Sequence, residues 1–203
     1  MPSRYLVRDF EVGSFYHVFN RGVEKRIIFT EELDFKVFVY YLSVFLSDPD
    51  TIDKSHPFFV YKRHNFHKRV ALSAYCLMDN HYHLLLQELD EDGISEFMKA
   101  LSNAYTQYFN QKYDRVGALF QGRYKCRKVD EDSYFTLISK YIHLNPGNPF
   151  EYSYSSINQY LETNDVPWIK VDSVLGAFDS PKTYRSYLED SFVFDEEEQK
   201  IFE

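Results

Sequence analysis

The chain has 203 residues, of which 44% are hydrophobic, 27% are charged and 19% are aromatic. A length of this order is typical of one domain, or of one domain with a short extension. The composition is that of a globular protein, and the sequence contains no apolar run of about 18 residues, the length needed to span a bilayer. The first residues lack the apolar stretch of a secretory signal, so we expect a cytoplasmic protein with no membrane partner.

The formal net charge of −8 at first argues against a nucleic-acid partner, because phosphate binding needs cations. The acids are concentrated at the C-terminal end, where residues 189–203 hold seven acids and one lysine. Cations cluster in two other stretches, 61–69 and 115–128. Cations interleaved with aromatic side chains suit phosphates and unpaired bases. A merely solvated basic surface is the simpler alternative.

The first predicted elements are a strand and a helix. Residues 14–22 alternate in polarity, are rich in aromatic residues and end at a glycine, which indicates a strand and a turn. Apolar residues at helical spacing predict a helix over 31–46, with Thr30 as its N-cap. A short strand over 58–62 is a further possibility.

A hairpin and a second helix follow. Residues 70–78 and 81–89 read as two strands, and Asp79 and Asn80 between them form a short turn signal that favours a hairpin. The next segment, 93–113, carries its apolar residues near one stripe and predicts a long helix.

The last predicted elements are a strand over 118–129, a helix over 131–145 capped by Asp130, and a short helix over 181–190. Strands and helices in this order match the ferredoxin-like plan. We therefore expect an α+β fold, in which an antiparallel sheet carries helices packed on one face. The catalytic domain is placed at 1–146, and a small C-terminal extension with the acidic tail at 147–203.

His81 and His83 lie two positions apart on a predicted strand, so their side chains share one face. Histidine is also a common half-buried residue, and the pair alone is a weak sign of a metal site. On the third helix, Tyr141 and Asn145 are four residues apart and stack on one helical face.

If that helical face packs beside the histidines, two imidazoles and one amide oxygen would leave coordination positions open for water or substrate, as catalytic metal sites do. Imidazole suits Mn²⁺, and Mg²⁺ is usable where phosphate oxygens complete the shell. The Tyr141 hydroxyl could then attack phosphorus and form a phosphotyrosine. A packing role is the alternative for Tyr141, and we read His17 and His143 as structural residues.

Four segments in this order, YHVFNRG, NHYHLLL, LFQGRYK and YIHLNP, resemble the tyrosine transposases of the HUH superfamily. The resemblance is to the single-strand transposases of IS200-like insertion sequences, and especially to the REP-associated tyrosine transposases. It covers roughly residues 14–150. Where this family often has proline before the asparagine, the chain has Asp79.

The resemblance implies that His81 and His83 are metal ligands, that Asn145 is the third ligand and that Tyr141 is the nucleophile. It also implies single-stranded or hairpin DNA as the partner, a divalent Mg²⁺ or Mn²⁺ ion as the cofactor, a 5′-phosphotyrosine intermediate and a free 3′-OH. A homodimer and a monomer both stay open.

Four cations are candidates for contacts with the DNA backbone. Arg123 and Lys125 alternate on the last predicted strand and are expected to share a face. Arg127 follows on the same strand, and Arg21 lies at the first turn. A solvated role is the alternative for each of them.

The leading hypothesis is a metal-dependent single-stranded DNA endonuclease and strand transferase. The first alternative is a non-catalytic nucleic-acid-binding module, whose binding would be insensitive to chelator. The second is a hydrolytic metalloenzyme that uses metal-bound water and tolerates the loss of the phenol.

Overall fold

The computed structural model describes residues 9–51, 65–129, 132–162 and 166–190, without the side chains of 132–134. The predicted strand at 58–62, the predicted cap Asp130 and most of the acidic tail lie outside the described residues. Within them, no helix is long and apolar enough to cross a bilayer.

Four antiparallel strands form the central sheet. They are β1 (Phe15–Arg21), β2 (Val70–Met78), β3 (His81–Glu88) and β4 (Lys125–Val129). The strand order across the sheet is β2-β3-β1-β4, and every pairing is antiparallel. Asp79 and Asn80 connect β2 to β3 directly, so the predicted hairpin is present. These strands confirm the α+β class with an antiparallel sheet.

The described helices are α1 (Glu32–Leu46), α2 (Gly93–Lys112), α3 (Asp132–Leu144), α4 (Ile157–Leu161), α5 (Asp172–Leu175) and α6 (Pro181–Glu189). The predicted cap of α1, Thr30, is wrong by one residue. Glu31 is the N-cap, because it exchanges capping-box hydrogen bonds with Asp34.

The two faces of the sheet pack against different helices. Tyr82, Leu84 and Leu86 project from β3 into an aromatic-rich core beneath α1 and α2. Leu85 alternates with them and packs on the other side with α3 and the C-terminal helices. The prediction of helices on one face holds for α1 and α2, and α3 adds a layer on the opposite face.

The strand predicted over 118–129 is shorter than expected and begins only at Lys125. Before it, Phe120 makes an isolated bridge to Gly22. Gly122 then adopts a φ of +71°, a conformation that glycine reaches without steric cost, and the chain leaves the ladder there.

The C-terminal extension packs on α3 and on the outer edge of β2. The backbone N–H of Leu77 donates to Tyr154, and that of Ser156 donates to Tyr75, which covers the edge strand. His143 is buried between the Tyr184 hydroxyl and the Ser156 hydroxyl, at 2.7 and 2.8 Å, as its structural interpretation requires. The boundary at residue 146 stays a prediction.

Candidate active site

A cavity of about 590 Å³ opens where β1, β3 and the C-terminal end of α3 meet. His81 and His83 reach it from β3, and Tyr141 and Asn145 reach it from α3. The structure thus brings together the four residues that the sequence singled out, from elements that are about 60 positions apart in the chain. His81 and His83 share a face because strand side chains alternate with a period of two. Tyr141 and Asn145 share a face because the helical period is 3.6.

Direct contacts join the two pairs. The His81 Nε2 atom lies 3.2 Å from the Asn145 Oδ1 atom. The rings of His83 and Tyr141 are perpendicular, with their centroids 5.3 Å apart. His83 and Tyr141 are both buried, whereas His81 is half-buried at the cavity. A phenol, an amide oxygen and two imidazoles therefore border one space.

Both ring nitrogens of His81 face amide oxygens. Its Nδ1 atom lies 2.6 Å from the Asn80 Oδ1 atom, and its Nε2 atom faces a second amide oxygen on Asn145. The Asn80 amide nitrogen donates to the Lys25 carbonyl, which orients the amide so that its oxygen faces the ring. An ion placed beside Nε2 would therefore have this nitrogen and the Asn145 oxygen as neighbouring donors.

Burial holds His83 in its neutral form. Burial, followed by the electrostatic effect of His17 and His81, lowers its pKa well below the ordinary value, so the ring carries a single proton and no charge at neutral pH. The Nδ1 atom is 2.8 Å from the His17 Nε2 atom, which leaves Nε2 as the nitrogen for a ligand. A neutral imidazole is the form that binds metal.

The donor set determines the kind of ion that fits. In the described part of the chain, no group of three His, Cys, Asp or Glu side chains is arranged for a metal. Two imidazoles and one amide oxygen suit a divalent transition ion or Mg²⁺, whose remaining positions are taken by water or substrate oxygens. The residues present therefore fit the implied cofactor.

The cavity is locally basic, in contrast to the acidic chain. Among the described residues that line it are Arg21, Lys25 and Lys125, and no acid. Lys25 and the residue before it, Glu24, both adopt left-handed backbone conformations, with φ of 60° and 57°. Such strain is uncommon outside glycine and tends to occur at functional sites. Asp79, in contrast, is exposed and is not among the lining residues.

The four predicted DNA-binding cations are not all at this cavity. Arg21 lines it and donates from Nε to Gln121 at 2.6 Å, and Lys125 lies over the Phe19 ring, 5.3 Å from its centroid. Arg127 pairs in register with His17, on the same face of the sheet.

Arg123 lies elsewhere. It borders a separate cavity beside α2, with Lys99 and Tyr124. The expectation that Arg123 and Lys125 share a face is therefore not met. Because β4 begins only at Lys125, the strand alternation does not extend back to Arg123.

Several lining residues were missed by sequence reasoning. Phe19, Asn80 and Gln121 each stand inside one of the four matching segments, so their positions carried a signal. Lys25 carried none, because its place depends on the left-handed turn. The sequence predicts a structural role for His17, and the structure places its ring against a candidate metal ligand.

Comparison with known proteins agrees with this picture. Residues 55–145 match the family model described as "Transposase IS200 like". That segment contains all four residues of the candidate centre. No curated protein sequence matches the chain at a significant level.

Two solved structures are similar to the chain. One is a REP-associated tyrosine transposase bound to a REP hairpin, with a TM-score of 0.54, 13% identity, and coverage of 85% of this chain and 93% of that one. The other is a candidate transposase from Deinococcus radiodurans R1, with a TM-score of 0.40, 18% identity, and coverage of 70% and 95%. The first likeness shows a common fold. Together, the family match over residues 55–145 and this fold confirm the resemblance to IS200-like transposases that was read from the motifs.

Proposed function

We propose that this chain is a metal-dependent endonuclease and strand transferase that acts on single-stranded hairpin DNA. One observation carries the proposal, namely that a single basic cavity gathers a phenol, two imidazoles and an amide oxygen. This is the set of groups that phosphoryl transfer to a tyrosine requires.

In the proposed reaction, the Tyr141 hydroxyl attacks a backbone phosphorus and loses its proton. The bond between phosphorus and the 3′ oxygen breaks, and that oxygen leaves as a 3′-OH after taking up a proton. The 5′ side of the break stays on the tyrosine as a phosphotyrosine. Attack by a 3′-OH on this ester releases the phenol and restores a phosphodiester, so strands are rejoined without an external energy source.

His81, His83 and Asn145 would hold a divalent ion, Mg²⁺ or Mn²⁺, which when bound polarises a phosphoryl oxygen. Arg21, Lys25 and Lys125 line the same cavity and would pair with the phosphates on either side of the break. Preference for a hairpin is supported by the similar fold of the transposase solved with a REP hairpin. Contacts of Arg123 and Arg127 with DNA stay predictions.

A binding module without turnover is the second candidate function, favoured by the basic, aromatic-bordered cavity alone. Denaturing electrophoresis of the protein with labelled single-stranded hairpin DNA from the flanks of its own gene separates the two. We expect a band shift with Mn²⁺ or Mg²⁺ that survives denaturation, disappears with chelator and is absent in Tyr141→Phe, His81→Ala and His83→Ala.

Tyr82→Phe is the matched control. Tyr82 lies between the two histidines on β3, but it faces the core beneath α1 and α2. This variant should form the adduct like the unaltered protein. Tight, chelator-insensitive hairpin binding without any adduct would favour the binding module. Cleavage that persists in Tyr141→Phe would favour hydrolysis by metal-bound water.

A further inference from the structure

His17 makes a buried contact with a candidate metal ligand. It lies on β1 with no exposed surface, and its Nε2 atom is 2.8 Å from the Nδ1 atom of His83. The two rings are close to parallel, with an angle of 17° between their planes. His17 is not among the residues that line the cavity, so it lies behind His83 as seen from the site.

The surroundings of His17 do not explain why a polar residue occupies this buried position. Its neighbours include the rings of Phe19 and Tyr141, with centroids 5.0 and 6.0 Å away. An apolar ring would fill this space without loss of hydration, whereas a buried polar group is unfavourable unless it is hydrogen-bonded. The hydrogen bond with His83 is the one described for this side chain, and its Nδ1 atom has no partner in the described structure.

The contact can be made in two ways, and only one of them leaves His83 able to bind a metal. If His17 donates from Nε2, the single proton of neutral His83 must sit on its own Nε2, and that nitrogen has no lone pair for an ion. If His83 donates from Nδ1, its Nε2 lone pair is available. His17 then accepts and carries its own proton on Nδ1.

We infer that His17 is a positioning residue that accepts the Nδ1 proton of His83 and thereby presents the His83 Nε2 lone pair to the divalent ion. This inference rests on the proposed function, because it assigns a partner to one of the proposed ligands. Asn80 makes the corresponding contact with His81. Groups that accept the second ring proton of a ligating histidine fix its orientation, and their loss weakens metal binding by about 10- to 100-fold.

The test is Mn²⁺ affinity, measured by electron paramagnetic resonance on the full chain without DNA. His17→Phe keeps the ring but cannot accept, and His17→Gln restores an acceptor. We expect His17→Phe to bind Mn²⁺ about 10- to 100-fold more weakly, as is usual when the hydrogen-bond partner of a metal-ligating histidine is removed. His17→Gln should recover most of this loss. Thermal unfolding of each variant in the presence of chelator shows that both remain folded.

Long-range ¹H–¹⁵N spectra of the Mg²⁺-saturated protein provide a readout that a structural role would not affect. We expect His83 to carry its proton on Nδ1 in the unaltered protein. Unchanged Mn²⁺ affinity in folded His17→Phe, or a His83 proton on Nε2, would overturn the inference while leaving the proposed function intact. Absence of Mn²⁺ binding by the unaltered protein would overturn both this inference and the proposed function, because His83 would then not be a metal ligand.

Discussion

The two faces of the sheet show how one set of strands supports both stability and a reactive site. On β3, Tyr82 faces α1 and α2 and is 1% exposed within a packed aromatic core. Its neighbours His81 and His83 face α3 and border a cavity. Strand alternation separates the two roles by a single residue. Substitutions at adjacent positions therefore test stability and chemistry independently.

Two buried polar side chains, Asp34 on one side of the sheet and His17 on the other, differ in how completely they are bonded. The buried Asp34 carboxylate on α1 accepts from five donors, namely the Tyr108 and Tyr113 hydroxyls, the Lys112 ammonium and the backbone N–H groups of Thr30 and Glu31. On the other face, the buried His17 has one ring nitrogen, Nδ1, without a partner among the described residues. The bonded carboxylate stabilises the packing of α1 against α2, whereas the incompletely bonded His17 calls for an explanation other than stability.

The largest expected effect on stability is in the aromatic core. Phe38 is fully buried and packs against Tyr82 and Tyr105, with ring centroids 5.2 and 5.0 Å away. We expect Phe38→Ala to lower the free energy of unfolding by about 3–5 kcal/mol, because it leaves a cavity in a packed core. Urea denaturation measures the loss.

Phe19→Ala is the comparison on the site face. Its ring borders the cavity, so less packing is lost, and we expect a smaller drop in unfolding free energy with weaker hairpin binding. An equal loss of stability in the two variants would show that both faces serve as core, which would break the distinction drawn between them.

The next effect concerns Asp34. Burial raises its pKa, but hydrogen bonds from Lys112, Tyr113, Tyr108 and the Thr30 backbone outweigh this and hold the pKa below the ordinary value of 3.8. A lowered folded-state pKa contributes stability that is present above the unfolded-state pKa and is lost as the pH falls through the folded value.

We therefore expect Asp34→Asn to cost roughly 1.5–3 kcal/mol at pH 7, the range for hydrogen bonds to charged groups. The difference from the unaltered protein should shrink as the pH falls below about 4, where the unaltered carboxyl takes up its proton. Urea denaturation from pH 7 to pH 2.5 measures it. A difference that stays constant with pH would mean that the carboxylate charge is not what stabilises α1 against α2.

A smaller effect is expected where α3 meets the C-terminal extension. Lys140 is buried, and its ammonium donates to the carbonyls of Tyr187 and Asp190 at the end of α6, at 2.6 and 2.8 Å. We expect Lys140→Met to destabilise α6 locally by about 1 kcal/mol, because two hydrogen bonds are lost while the desolvation cost of the buried ammonium is relieved. Amide hydrogen exchange of α6 should quicken accordingly.

Lys182→Met is the control on the same helix, because Lys182 is exposed. It should leave the exchange rates of α6 unchanged. Equal increases in the exchange rate of α6 in both variants would mean that the hydrogen bonds of Lys140 do not stabilise the helix end. The packing of α6 would then depend on apolar contacts.

Local periodicity explains what could be predicted of this site. The strand spacing of His81 and His83 and the helical spacing of Tyr141 and Asn145 each determine which side chains share a face. Whether those two faces meet is a tertiary question, and the resemblance to known transposases answered it where periodicity could not.

Other features depend on contacts that local patterns do not encode. His17 and His83 are 66 positions apart, and nothing in either segment indicates their hydrogen bond. Lys25 reaches the cavity through a left-handed backbone at non-glycine residues, which sequence propensity disfavours. Arg123 and Lys125 are separated because the strand begins later than its alternating pattern suggests.

The smallest expected effect contrasts two lysines of β4. Lys125 lines the site cavity, whereas Lys128 pairs with Glu11 at 2.7 Å and lies opposite Tyr16 in the register, on the other face. We expect Lys125→Gln to weaken hairpin binding several-fold and to reduce the slope of log affinity against log salt by about 1, because one phosphate contact is lost. Lys128→Gln should leave both quantities unchanged. Fluorescence anisotropy across a salt series measures them, and an equal change in the two variants would mean that phosphate contacts are not confined to the face that holds Tyr141.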